Sequence, residues 1–369
     1  MARLTGRLHG GDVYAAAREA ACDPKEILDF SASINPLGPS PLVWKAIASA
    51  RPLLGHYPDT DCWNVRRAVA EQWRIDPEQI VVGNGSTELI DAIPRALNIR
   101  RLLIIQPTFS EYAAAMARAG GQVMTLYADR RAQYAIPVDR LCRLIEAGGD
   151  GGGLIEGVML CNPNSPTGRG CSSDDVARVA KAAHRQGLWL IVDEAFADYC
   201  PELSVLPQAA GWPHVVVLRS LTKLYALPGL RVGYAVARQA TARRLQRYLP
   251  SWSVNMMGQV AACAALSDKA HALKSLRFMV KERRRLTDVL AALRGCAVVP
   301  ACANYLFVDL PRGYRAGHVA GALRRDGILI RDCSSIPGAH AGAIRLAVRA
   351  PRENDRLILA LSRILHRPS

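Results

Sequence analysis

Short apolar runs recur at Ile80-Val81-Val82, Leu102-Leu103-Ile104-Ile105, Val158-Met159-Leu160, Leu190-Ile191-Val192, Val215-Val216-Val217-Leu218 and Val232-Gly233-Tyr234. Segments of helical length separate them. Runs of this kind predict a mostly parallel sheet buried on both faces, with helices as the connections. Beyond about residue 256 the texture changes. Residues 267–293 read as one long helix, with Leu273, Leu276, Val280, Leu286, Val289, Leu290 and Leu293 at its apolar positions. Strand-like Tyr305-Leu306-Phe307-Val308, Ile328-Leu329-Ile330 and Ile344 to Val348 follow, and a last helix carries Leu357, Leu361, Ile364 and Leu365. Strands mixed with helices predict a smaller α+β lobe. Gly148-Gly149-Asp150-Gly151-Gly152-Gly153 reads as a flexible surface loop, and no internal repeat or linker is visible.

With 369 residues, half of them hydrophobic, the chain can bury a large core in two lobes. No apolar run approaches the roughly 20 residues of a membrane span, and the first residues carry no apolar signal segment. The ten cysteines are scattered, without a Cys-x-x-Cys pair or a Cys/His cluster. They read as reduced thiols of a cytoplasmic protein, so neither a disulfide framework nor a metal site is expected. The net charge of +15 comes from basic residues spread along the whole chain, the densest group being Lys281-Glu282-Arg283-Arg284-Arg285 within a helical pattern. A basic stripe with interleaved aromatics is missing, which argues against a nucleic-acid partner. A positive field would still draw an anionic metabolite inward.

The candidate chemistry lies just past the ends of the apolar runs, where open α/β sheets place their ligands. Lys223 sits in Val-Leu-Arg-Ser-Leu-Thr-Lys-Leu-Tyr-Ala-Leu-Pro-Gly-Leu-Arg (217–231), and Asp193-Glu194-Ala195-Phe196 begins thirty residues upstream. Pyridoxal 5'-phosphate needs both parts: an amine to hold it as a Schiff base and a carboxylate to keep its ring nitrogen protonated. Ser220, Thr222 and Arg231 bracket the lysine as a phosphate cradle would. Gly83-Asn84-Gly85-Ser86-Thr87-Glu88 follows a strand and opens a helix, so its free N–H groups form an anion site. Taken alone, Ser86 or Thr87 could be ordinary helix caps, and Asp193-Glu194 a capping pair. Phe109 is placed to stack on the cofactor ring, although a lone Phe at a strand end also suits a core.

Several further segments carry a resemblance. They are His9-Gly10-Gly11-Asp12, Leu28-Asp29-Phe30-Ser31-Ala32-Ser33-Ile34-Asn35-Pro36-Leu37-Gly38, Arg219-Ser220-Leu221-Thr222-Lys223 and Ser251-Trp252-Ser253-Val254-Asn255. Over essentially its full length the chain resembles the fold-type I pyridoxal-phosphate enzymes of the histidinol-phosphate aminotransferase group, and within it the threonine-phosphate decarboxylases of cobalamin biosynthesis. The resemblance implies an α/β, PLP-dependent transferase fold. Residues 1–40 would contribute to the small lobe and the active site, 41–256 would form the large PLP-binding domain, and 257–369 the small C-terminal domain.

The resemblance also implies roles. Lys223 would hold the cofactor and shuttle protons, and Asp193 would pair with the pyridine nitrogen. Ser86, Thr87, Ser220, Thr222 and Arg231 would hold the cofactor phosphate. Tyr57 would reach that phosphate from a neighbouring subunit, which implies a homodimer with shared active sites. Arg345 matches the arginine that grips the substrate α-carboxylate, Arg331 and His9 are candidates for the substrate's phosphate, and Asn35 belongs to the substrate-binding stretch. Asn304-Tyr305 matches a family motif without assigned chemistry. Ser165 stands where the family usually has an Asn bonded to the cofactor's phenolic oxygen, with Asn164 or Asn162 able to compensate. Ser33 replaces a second Asn common in the decarboxylases.

The implied reaction is decarboxylation of L-threonine O-3-phosphate, a phosphorylated amino acid, to (R)-1-amino-2-propanol O-2-phosphate. The alternative is an aminotransferase acting on histidinol phosphate or a related amino acid. A DNA-binding regulator on the same fold rests only on the basic charge, and the extra helix-turn-helix domain of such regulators is not seen.

Overall fold

The computed structural model describes residues 10–148 and 155–365. In chain order, strand β1 (Leu28–Asp29) precedes the strands of the larger sheet: β2 (Ile80–Gly83), β3 (Arg101–Gln106), β4 (Gln122–Tyr127), β5 (Gly157–Cys161), β6 (Trp189–Asp193), β7 (Val215–Ser220) and β8 (Gly233–Ala237). The later strands are β9 (Ala297–Val299), β10 (Tyr305–Asp309), β11 (Ile328–Leu329), β12 (Arg331–Asp332) and β13 (Ala343–Ala347).

The larger sheet has the order β2-β8-β7-β6-β5-β3-β4. Strands β3 to β7 run parallel, while β8 is antiparallel to both β2 and β7. Every residue of β2, β5, β7 and β8 is buried, which is why each reads as an unbroken apolar run. From β3 the chain moves outward to β4, then returns to β5 and continues in the opposite direction through β6 and β7. The crevice at that reversal, beyond the carboxyl ends of β3, β5, β6 and β7, is the ligand position of open α/β sheets.

The smaller sheet, β12-β13-β10-β9, is wholly antiparallel. The N-terminal segment joins this end of the molecule, because β1 pairs in parallel with β11, Leu28 opposite Ile328 and Asp29 opposite Leu329. The helix expected over 267–293 is Lys269–Ala292, and a separate helix, Met256–Ser267, precedes it. Asp268 separates them: its backbone leaves the helical region at ψ 72, and its carboxylate accepts the His271 N–H, capping the second helix. Only Gly148 of the predicted glycine loop falls within the described residues, and 149–153 lie outside them. Among the described residues no helix is long and apolar enough to cross a membrane.

Candidate active site

A cavity of about 450 Å³ opens at the switch point. Its wall gathers Ser86, Thr87, Phe109, Ser165, Asp193, Ser220, Thr222, Lys223, Arg231, Arg331 and Arg345 from segments far apart in sequence.

Asp193 ends β6 and is 3% exposed. Burial pushes its carboxyl upward. Tyr112 Oη, donating at 2.7 Å, and the Ala195 N–H at 2.9 Å work against that shift and favour the carboxylate. Lys223 follows β7 by three residues, with Nζ 5.3 Å from the centre of the Phe196 ring. Burial, then the positive charges of Arg345 and Arg231, lower its amine from 10.5 to about 8, opposed by Asp193. An amine so held is available as a nucleophile near neutral pH.

The anion cradle depends on two glycines, one in a turn and one in a strand. Gly85 has φ +75, and a Cβ there would lie 2.5 Å from Arg231 Nη2, so the guanidinium closes over bare backbone. Gly233 on β8 comes equally close: its Cβ would lie 2.4 Å from the Ser86 nitrogen and 2.8 Å from the Arg219 oxygen. These contacts draw the start of helix Ser86–Leu97 against the end of β7. The result sets Ser86, Thr87 and the helix N-terminus beside Ser220 and Thr222, whose hydroxyls are 2.8 Å apart. Arg231 has no ion pair among the described residues, and its one hydrogen bond goes to the Pro228 oxygen at 3.3 Å. Hydroxyls, N–H groups and a guanidinium without a carboxylate are the donor set a phosphate requires. With the buried carboxylate, the lysine and half-buried Phe109 on the same wall, the residues fit pyridoxal 5'-phosphate.

The opposite wall is cationic. Arg331 and Arg345 are register partners on β12 and β13. Arg345 donates through Nη2 to the Ser31 oxygen at 2.7 Å and through Nη1 to Ser165 Oγ at 2.9 Å, with Cζ 5.1 Å from the Tyr305 ring centre. Burial lowers the pKa of Arg331, and Arg345 adds to that shift while Cys333 opposes it. Neither guanidinium has a carboxylate partner among the described residues.

The remaining site residues have particular partners. Ser165 Oγ accepts from Arg345 and keeps its own O–H to donate into the cavity it lines. Its two neighbouring amides are engaged elsewhere. Asn164 binds the Pro107 oxygen, Thr167 and Thr108, and Asn162 is closed on the backbone of Cys171. Asn35 does not line the cavity. Its amide donates to the Leu224 oxygen and Ser275 Oγ and accepts the Leu37 N–H, so it braces the segment after Lys223. Tyr57 lies off the wall of its own chain, 80% exposed and stacked on Trp252 at 4.7 Å. His9 lies outside the described residues.

Sequence reasoning missed Tyr112, one helical turn past Phe109, because nothing local ties it to Asp193. It gave Ser33 no role, yet Ser33 is 2% exposed, lines the cavity and has no hydrogen-bond partner for its hydroxyl.

The sequence profile of the family described as aminotransferase class I and II matches residues 25–364. The chain is 34% identical to a threonine-phosphate decarboxylase of Salmonella typhimurium over 98% of both chains. It is 33% identical to histidinol-phosphate aminotransferase 2 of Pseudomonas aeruginosa over 98% of this chain and 96% of that one. Its fold is similar to that of a histidinol-phosphate aminotransferase from Sinorhizobium meliloti in complex with pyridoxal-5'-phosphate. That likeness has a TM-score of 0.85 at 23% identity, over 99% of this chain and 98% of the other.

Proposed function

The chain belongs to the aminotransferase class I and II family, whose cofactor is pyridoxal 5'-phosphate, and we propose that it decarboxylates L-threonine O-3-phosphate to (R)-1-amino-2-propanol O-2-phosphate. The observation that carries this reading is the pair Arg331 and Arg345, set side by side opposite Lys223 without carboxylate partners. Two unneutralised guanidiniums in one pocket call for a substrate with two anionic groups. A phosphorylated α-amino acid brings a carboxylate and a phosphate. The similarity to the Salmonella threonine-phosphate decarboxylase supports the same substrate class.

When bound, the cofactor supplies an aldehyde for the substrate amine and a conjugated ring that accepts the electrons of the broken bond. The chain's residues do the rest. Asp193 would hold a proton at the ring nitrogen, Ser86, Thr87, Ser220, Thr222 and Arg231 would anchor the phosphate, and Phe109 would pack against the ring. Arg345, braced by Ser165 and Ser31, orients the α-carboxylate, and Arg331 takes the substrate phosphate with His9 as a further candidate. Lys223 returns a proton to Cα after carbon dioxide leaves, which its near-neutral amine suits.

A second reading, amino transfer, is favoured by the 33% identity to the Pseudomonas aminotransferase. It would use the same lysine and aspartate and break Cα–H instead. Purified holoenzyme given L-threonine O-3-phosphate should release carbon dioxide without an amino acceptor. No carbon dioxide, with glutamate formed stoichiometrically from 2-oxoglutarate and histidinol phosphate, would replace the first reading by the second.

The functional unit in this reading is a homodimer in which Tyr57 reaches the partner's cofactor phosphate. Trp44, Leu54, Tyr57, Trp63 and Trp252 are 45–80% exposed, an apolar surface that a second copy would cover. Sedimentation at micromolar concentration should give twice the chain mass, and a monomer would remove this part of the reading.

A further inference from the structure

Behind the strand ends that carry the cofactor residues lies a buried cluster of charges with no assigned role. Asp193 and Ser220 face the cavity. Their chain neighbours Glu194 and Arg219 face away from it, as alternation along a strand requires. Arg219 is 1% exposed and Glu194 0%. Arg219 Nε lies 3.1 Å from Glu194 Oε2 as an ion pair without hydrogen-bond geometry, while Nη1 donates to Asp198 Oδ1 at 2.9 Å and Nη2 to Ser204 Oγ at 3.0 Å. The guanidinium also lies over Trp73, 4.8 Å from its ring centre.

The two carboxylates are not equivalent. Glu194 accepts Ser204 Oγ–H at 2.6 Å and the Val205 N–H at 2.7 Å besides its ion pair. Asp198 has Arg219 alone as a side-chain partner. The strands β6 and β7 are in register only as far as Asp193 opposite Leu218. Past that point one backbone bond, Glu194 N–H to the Leu218 oxygen at 2.9 Å, and then the Glu194–Arg219 ion pair continue the connection.

We propose that Glu194, through its ion pair with Arg219, is a positioning residue that fixes the carboxyl ends of β6 and β7, and so sets Asp193 at its working distance from Ser220, Thr222 and Lys223. Asp193 at the end of β6 would hold the cofactor's ring nitrogen, and Ser220, Thr222 and Lys223 at the end of β7 would hold its phosphate and aldehyde. A splay between the ends therefore weakens cofactor binding even where the fold survives. Asp198 closes the cluster without spanning the strands and contributes little to this spacing.

The test uses holoenzyme and three variants, Glu194→Gln, Asp198→Asn and Ser204→Ala, scored by pyridoxal-phosphate dissociation, by the pH midpoint of the visible absorption band and by thermal unfolding. Glu194→Gln should raise the dissociation constant roughly tenfold or more and move the pH midpoint, whereas Asp198→Asn should leave both close to wild type. Ser204→Ala, which removes only the hydroxyl shared by Glu194 and Arg219, should shift both in the direction of Glu194→Gln by less. It carries the test if Glu194→Gln does not fold. A merely structural cluster would lower the unfolding temperature and leave dissociation and pH midpoint unchanged in Glu194→Gln or, if that variant is unfolded, in Ser204→Ala. That outcome overturns the proposal, as does an Asp198→Asn variant that loses the cofactor as readily as Glu194→Gln. None of these readouts depends on which reaction the enzyme catalyses.

Discussion

Ser165 Oγ accepts a hydrogen bond from Nη1 of Arg345 at 2.9 Å, joining residues 180 positions apart. This contact gives the substrate wall a link to the larger sheet, since Ser165 lies on the loop after β5 and Arg345 on β13. A hydrogen bond to a charged group contributes about 1.5–3 kcal/mol. Ser165→Ala leaves Arg345 with the Ser31 oxygen as its one hydrogen-bond partner. The expected result in steady-state kinetics is a KM for the amino-acid substrate raised by roughly tenfold, with kcat nearly unchanged.

The lowered amine of Lys223 has a pH signature. Its folded value of about 8 lies below the ordinary 10.5. Between those values the unfolded chain binds a proton that the folded chain does not, so stability of the apoprotein should rise with pH across that window. Below about pH 8 both states bind the proton and this dependence vanishes. The rate at which apoprotein takes up pyridoxal phosphate should follow the neutral amine, with a midpoint near 8. Burial is the first cause of the shift and Arg345 the next. Arg345→Gln should therefore move the midpoint upward, and a midpoint left in place would contradict the assignment.

Tyr112 bears on the opposite end of the ring. Its hydroxyl bonds Asp193 and favours the ionised form, opposing the upward push of burial. Tyr112→Phe removes that bond and keeps the ring in place, so the carboxyl pKa should rise. The acid limb of cofactor retention should then move to higher pH. Dialysis of holoenzyme across a pH series, followed at the visible band, reads this directly.

Gly85→Ala tests the cradle. The added methyl would meet Arg231 Nη2 at 2.5 Å, in a backbone conformation that L side chains rarely adopt. Cofactor dissociation should increase by more than about tenfold. Gly229→Ala is the matched control, because nothing lies within 4 Å of its added Cβ.

The sequence was most readable where structure is local. Each apolar run became a strand because burial on both faces writes itself as continuous hydrophobicity. Asp193, Ser86, Ser220 and Lys223 could be placed because each follows such a run within a few residues. Strand β4, Gln122–Tyr127, was missed because it lies at the sheet edge, where only Leu126 is buried. The helix Met256–Ser267 was missed as well, since small apolar residues run round it and leave no polar face to read. The pairing of β1 with β11 and the contacts Tyr112–Asp193 and Ser165–Arg345 join distant segments. No local pattern encodes partners so far apart, so the bond from Arg345 to Ser165 could not be foreseen.

The cavity has two walls of separate origin. The proposed seat for the cofactor comes from the ends of β6 and β7 and the helix after β2, while the guanidiniums of Arg331 and Arg345 come from β12 and β13 of another sheet. Mutations at Arg331 can therefore retool what the enzyme selects while leaving its loading in place, whereas Arg345 bears on both through Lys223. Gene duplicates of such a protein can diverge in diet while inheriting the same engine.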